Sequence, residues 1–166
     1  MKRIVLMVAT LLVIAFSLVA CSSQEPQKVI SNELGIDVSD GNEISSSDTH
    51  GGFNRDGTTY IALEFTDNKV LEQIRKDTRW KSFPLDSTVR TLIYGTADET
   101  SSIGPYVSDS EGKALIPDIQ NGYYLLIDRH AEADKNEDIL LRGSFNFTLG
   151  IYDSNTNTLY FCKLDT

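Results

Sequence analysis

Both histidines of this 166-residue chain stand near acids, so each marks a place where proton transfer or metal binding could be built. His50 follows Asp48, precedes Gly51-Gly52 and lies close before Asp56, which puts one imidazole and two carboxylates in a single loop. Asp128 and His130 are two apart, so on a continuing strand both side chains point the same way. If the fold brings the two clusters together, they supply a set suited to zinc or to a general acid and base in hydrolysis. In the simpler alternative, His50 is an ordinary loop residue and Asp128-Arg129-His130 closes a strand with solvated charges.

Other routes to chemistry are weaker. The chain has no Gly-x-Ser-x-Gly elbow and no His-Glu-x-x-His. Cys162 alternates with Tyr160 and Leu164 in an apolar stretch, which predicts a buried thiol acting as a small apolar filler. Asp134, Asn136 and Asp138 open like a calcium loop, but Ile139 replaces the required glycine and Phe145 the bidentate glutamate. Asp153, Asn155 and Asn157 repeat the imitation, and both runs read better as turns whose Asn and Asp bond their own backbone. Trp80 and Tyr106 lie beside expected loops, where an aromatic ring can anchor a partner or stack on a sugar. At helical spacing from Ile74, Trp80 can equally cover a helix end. No catalytic residue, metal ligand or cofactor is assigned on these grounds. The candidate binding residues are Asp48, His50, Asp56, Asp128, His130, Trp80 and Tyr106.

The elements that position these residues follow from periodicity. Ile61, Leu63 and Phe65 alternate along a strand over 58–65 that starts after the turn dipeptide Asp56-Gly57. Thr66 or Asp67 can then cap a helix over about 67–80, in which Val70, Leu71, Ile74 and Thr78 share a face. Thr88 to Tyr94 has strand composition. Asn121-Gly122 is a strong hairpin dipeptide before Tyr123 to Ile127, and Pro117 confines any partner strand to an edge. Phe145, Phe147, Leu149 and Ile151 alternate in the clearest strand. The segment Asp153 to Asn157 turns the chain into a last strand, Thr158 to Leu164, apolar on both faces. Ser45 to Gly52 has linker composition, while Ile36, Val38 and Ile44 around Asp40-Gly41 predict a short exposed hairpin. The expected fold is a single α+β domain over 36–166, mainly an antiparallel sheet of about five to seven strands with one helix on one face.

The chain begins with Lys2-Arg3, an apolar run from Ile4 to Phe16, and Ser17-Leu18-Val19-Ala20-Cys21. This is the layout of a secretory signal peptide, although the 17 residues from Ile4 to Ala20 are just long enough for a retained membrane helix. Leu18-Val19-Ala20-Cys21 resembles the lipobox of bacterial lipoproteins at all four positions. That resemblance implies a diacylglyceryl group on the Cys21 thiol and cleavage before it, leaving residues 1–20 as a signal peptide. Two or three acyl chains then anchor the protein stably to the cell membrane at its extracytoplasmic face. Residues 21–35 contain Pro26 and few apolar groups, which predicts a flexible tether reaching roughly 20 Å. The runs Gly122 to His130, Phe145 to Asp153 and Leu159 to Thr166 are similar to those of a group of uncharacterised lipoproteins of Gram-positive bacteria, a resemblance that transfers no activity.

Charge narrows the partners. The chain carries 15 basic and 24 acidic residues, and loss of Lys2 and Arg3 leaves 13 against 24, a formal net charge of −11. Nucleic acid is excluded as an expected partner, since a phosphate backbone rewards clustered cations and Arg75-Lys76, Arg79 and Lys81 are interrupted by Asp77. With Cys21 lipidated, Cys162 is alone and no internal disulfide can form. The expected function is a non-catalytic binding or interaction module facing an envelope protein, a toxin to which it gives immunity, or wall polymer. The alternative is an extracytoplasmic hydrolase or metal-dependent enzyme built on His50, His130 and nearby aspartates.

Overall fold

The apolar alternation of the last two long strands sets the centre of the molecule. The computed structural model describes residues 25–51, 56–130, 138–144 and 146–166. In it β7 (Phe147–Asp153) and β8 (Thr158–Asp165) form a hairpin with Tyr152 opposite Leu159 and Leu149 opposite Cys162. Asn157, at φ 52°, closes the turn, and Asp153 Oδ1 accepts from the Asn155 amide at 2.8 Å. Around this hairpin a six-stranded antiparallel sheet runs β1-β2-β8-β7-β6-β3, with β1 Asn42–Asp48, β2 Gly57–Glu64, β3 Lys81–Ser82 and β6 Gly122–Asp128. A separate pair, β4 Thr96–Ala97 and β5 Ser102–Ile103, lies outside the sheet. The chain is thus a single mixed α+β domain, mainly sheet.

Both faces of the central strands are covered, which is why every residue of β7 is buried. One face carries Ile61, Leu63, Leu159, Phe161 and Tyr152 under two helices, α1 (Pro26–Leu34) and α2 (Lys69–Lys76). The other carries Tyr60, Phe147, Leu149, Ile151 and Cys162 under α3 (Ser87–Tyr94), the Val107–Ile119 segment and a 3-10 turn at Ile139–Leu141. Helices therefore flank the sheet on two sides, where one helix on one face was expected.

The extra helices correct two readings. α1 replaces the tether over its length: Pro26 opens it, Gly35 ends it at φ 72°, and Ile30 and Leu34, four apart, are completely buried. Few apolar residues suffice when they share one stripe. α3 replaces the strand over 88–94. Asp86 accepts from the Val89 amide at 2.9 Å as an N-cap, and Val89, Leu92 and Ile93 sit at helical spacing in the core. Capping and packing outweigh the β-branched composition here.

α2 is shorter than its expected range of 67–80. Asp67 Oδ1 accepts from the Lys69 amide at 3.0 Å at its start. At its end the chain turns so that Arg79 bonds Asp77 and donates to the Leu34 carbonyl at 2.9 Å, and Thr78 is exposed. No hairpin forms at Asp40-Gly41. Ile36 and Val38 are core residues, and Gly41 leads into β1, which takes up part of the expected linker. Nor does Asn121-Gly122 join two strands, since Gly122 is the first residue of β6, which pairs with β7 and β3. Phe145, Asp134 and Asn136 lie outside the described residues.

Candidate functional site

Antiparallel register gathers chain ends at one end of the sheet. Asp128 is opposite Phe147, Phe147 opposite Leu164, Asp165 opposite Gly57, and Asp48 opposite Thr59. The result is a row of four ionisable groups, Asp48, His50, Asp165 and Arg129. His50 Nδ1 lies 2.6 Å from Asp48 Oδ1, and His50 Nε2 lies 3.2 Å from Asp165 Oδ2. Arg129 Nη2 lies 2.8 Å from Asp165 Oδ1 and donates to the backbone carbonyls of Leu164 at 2.9 Å and Phe147 at 3.2 Å. Gly57 permits the closure, because a Cβ there would fall 2.6 Å from the backbone of His50.

This geometry decides what the imidazole can do. A neutral ring donates from one nitrogen only, so which carboxylate receives the ring hydrogen depends on the tautomer, and Thr59 Oγ1 also lies 3.3 Å from Nδ1. Each ring nitrogen has a carboxylate within hydrogen-bond distance. The carboxylates bind opposite sides of the ring, so three donors do not converge on one point, and no group of three or more His, Cys, Asp or Glu among the described residues is arranged to hold a metal ion. Asp48 titrates below the ordinary carboxylate range, first because the His50 backbone amide bonds it and then through the His50 ring.

No hydrogen bond or ion pair joins Asp128 or His130 directly to Asp48, His50 or Asp56 among the described residues. Asp128 lies on the α3 face of the sheet and pairs with Arg142 Nη1 at 2.7 Å, whereas Arg129, the next residue, faces the α1 side and reaches Asp165. The backbone amide of His130 donates to Asp128 Oδ1 at 3.1 Å, and no hydrogen bond or ion pair joins His130 to His50 among the described residues. Asp56 is exposed beside Gly57. Trp80 is buried, with its ring against Gly150 and Leu34, so it is a core residue and not an exposed anchor. Tyr106 is half-buried against the α3 core. Cys162 is completely buried, and burial pushes its thiol far above the ordinary range.

Sequence reasoning missed Asp165, Arg129 and a second pair beside them. Lys163 Nζ lies 2.6 Å from Glu33 Oε1, and Thr148 Oγ1 donates to Glu33 Oε2 at 3.2 Å. Strand alternation carries the signal for Arg129, which must face opposite to Asp128. Glu33 carried none while its segment read as a tether. A shallow groove of about 350 Å³, lined by Val29, Asn32, Glu33, Ile127 and Arg129, runs along this row. The chain matches no protein-family model, no curated protein and no solved structure.

Proposed function

We propose that the protein is an extracytoplasmic lipoprotein, moored to the cell membrane by lipid on Cys21, whose α+β domain is a non-catalytic binding or interaction module. The observation that carries the reading is the border Leu18-Val19-Ala20-Cys21 after an apolar run, followed within five residues by the first helix of a folded domain. Anchor and body adjoin. A carboxylate within 3.2 Å of each His50 nitrogen supports binding over hydrolysis, because both nitrogens are already occupied within the fold and a general base must reach its substrate. No helix among the described residues is long and apolar enough to cross a membrane. An envelope protein, a neutralised toxin or wall polymer are the partner classes in view, and the acidic composition disfavours nucleic acid.

The test is detergent-phase partitioning with intact mass. The wild-type protein is expected in the detergent phase, starting at Cys21 with added acyl mass, and Cys21→Ser is expected to be unprocessed or released. A normally processed Cys21→Ser protein with unchanged partitioning overturns the reading.

A further inference from the structure

The strand β1 contributes no buried side chain: all seven of its residues are exposed, including Ile44 at 51%. It is held to β2 along its length, from Asn42 opposite Glu64 to Asp48 opposite Thr59. The Thr49 amide donates to the Thr58 carbonyl at 3.0 Å. By antiparallel alternation Ser47 and Ser45 also face β2, so the amides and carbonyls of Ser46 and Asp48 point away from the sheet. The opposite edge of the sheet is β3, only two residues long. β1 is therefore the one long open edge of this sheet among the described residues.

Open edges are usually guarded by charged side chains, proline or a bulge. β1 has no lysine or proline; Glu43, Asp48 and a bulge between Glu43 and Ser45 flank it and leave the run from Ser45 to Ser47 without a guard of its own. Its central run, Ser45-Ser46-Ser47, is small and uncharged, with Ile44 offering an apolar contact beside it. Its border carries several acids, of which Asp48 is engaged by His50 and Asp40, just before the strand, by Lys69. Glu43 and Asp48 lie in the strand and Glu64 is exposed across from it, while the described residues of β1 and β2 include no Lys or Arg.

We infer that the open edge of β1 is the docking edge of the interaction module, and that it takes an extended, cationic strand from a partner protein by backbone pairing. The inference rests on the binding-module reading but not on the lipid. Main-chain hydrogen bonds to Ser46 and Asp48 supply the attachment, and alternate side chains of the guest meet Ile44 and the acidic border. A second copy of this chain is a poor guest, since each carries the same formal charge of −9.

The probe is a capped seven-residue peptide alternating lysine and valine, titrated into the full chain in detergent micelles, with a glutamate–valine peptide as the control. Saturation with the lysine peptide is expected to slow amide exchange at Ser46 and Asp48 about tenfold or more, and the glutamate peptide is expected to leave it unchanged. Ser46→Pro removes an outward donor at a position where an edge strand tolerates proline, and Glu43→Lys reverses the border charge. Each is expected to weaken the peptide about tenfold, the scale of one lost hydrogen bond or charge contact. If Ser46→Pro misfolds, Glu43→Lys alone carries the test. Unchanged exchange at Ser46 and Asp48, equal binding of both peptides, or wild-type affinity in the folded variants overturns the inference. So does protection that grows with protein concentration alone, which identifies a second copy as the guest. Repeating the titration on full-length Cys21→Ser separates failure of the edge from failure of the anchor.

Discussion

A single imidazole held between two carboxylates works as a clasp, tying the end of β1 to the end of β8. The first consequence is electrostatic. Because Asp48 is held below its ordinary value of 3.8, its contribution to stability is present above that value and drains away as pH falls below it. A carboxyl-carbon NMR titration is expected to show Asp48 ionising below the normal range, and His50→Ala to move it back up by deleting the ring bond while keeping the amide bond. No movement in His50→Ala shows the ring contributes nothing. Cys162 runs the opposite way. Burial disfavours its thiolate, so the folded state keeps its full stability below the ordinary thiol value of 9.0 and loses some as pH rises past it. The thiol is expected to resist iodoacetamide in the native protein and to react completely on unfolding. Rapid native alkylation contradicts its burial.

The elements that sequence made legible are those whose own side chains dictate them. β2, β7 and β8 alternate visibly, and α2 shows Val70, Leu71 and Ile74 on one face. α1 and α3 were hidden for different reasons. In α1 only Ile30 and Leu34 are fully buried, so composition masked a stripe that spacing contained, whereas α3 is rich in β-branched residues and is helical through its Asp86 cap and its core contacts. Of the site, Asp48 and His50 were legible as neighbours, but Asp165 and Arg129 join them only through strand register across the sheet. Packing of α1 makes this layer testable. Gly150 lies under it, and a Cβ there would meet the Trp80 ring at 2.7 Å and Leu34 at 3.2 Å. Gly150→Ala is expected to destabilise the fold by about 1–3 kcal/mol through overpacking, measured by urea denaturation. Leu34→Ala is expected to cost about 2–5 kcal/mol, and a loss near zero returns that segment to the status of a tether.

At the scale of the whole molecule, the helix at Pro26 sets how the domain sits on a membrane under the proposed lipid anchor at Cys21. A tether running to residue 35 lets the body drift and rotate, but here the leash from Cys21 to Pro26 is five residues, which span at most about 17 Å even when fully extended. With lipid on Cys21, the start of α1 stays within that distance of the headgroups. The groove lined by Glu25, Gln27, Lys28, Ser31, Asp37 and Ser39 lies at this end, and its mixture of acids with a single lysine gives an anionic surface little to attract. On the proposed lipid anchor the domain is held close but not adsorbed, which leaves the proposed β1 docking edge free to meet a partner. A spin label on Lys28→Cys in vesicles carrying headgroup-bound nickel is expected to relax several-fold faster than one on Glu111→Cys, in the segment covering the opposite face of the sheet, since Cys162 is too buried to compete for label. Lengthening the leash by ten Gly-Ser residues before Glu25 is expected to abolish the difference, because a flexible insert of that length adds roughly 15–20 Å of average reach. Equal relaxation at both sites with the native leash contradicts an anchor at Cys21 so close to the fold.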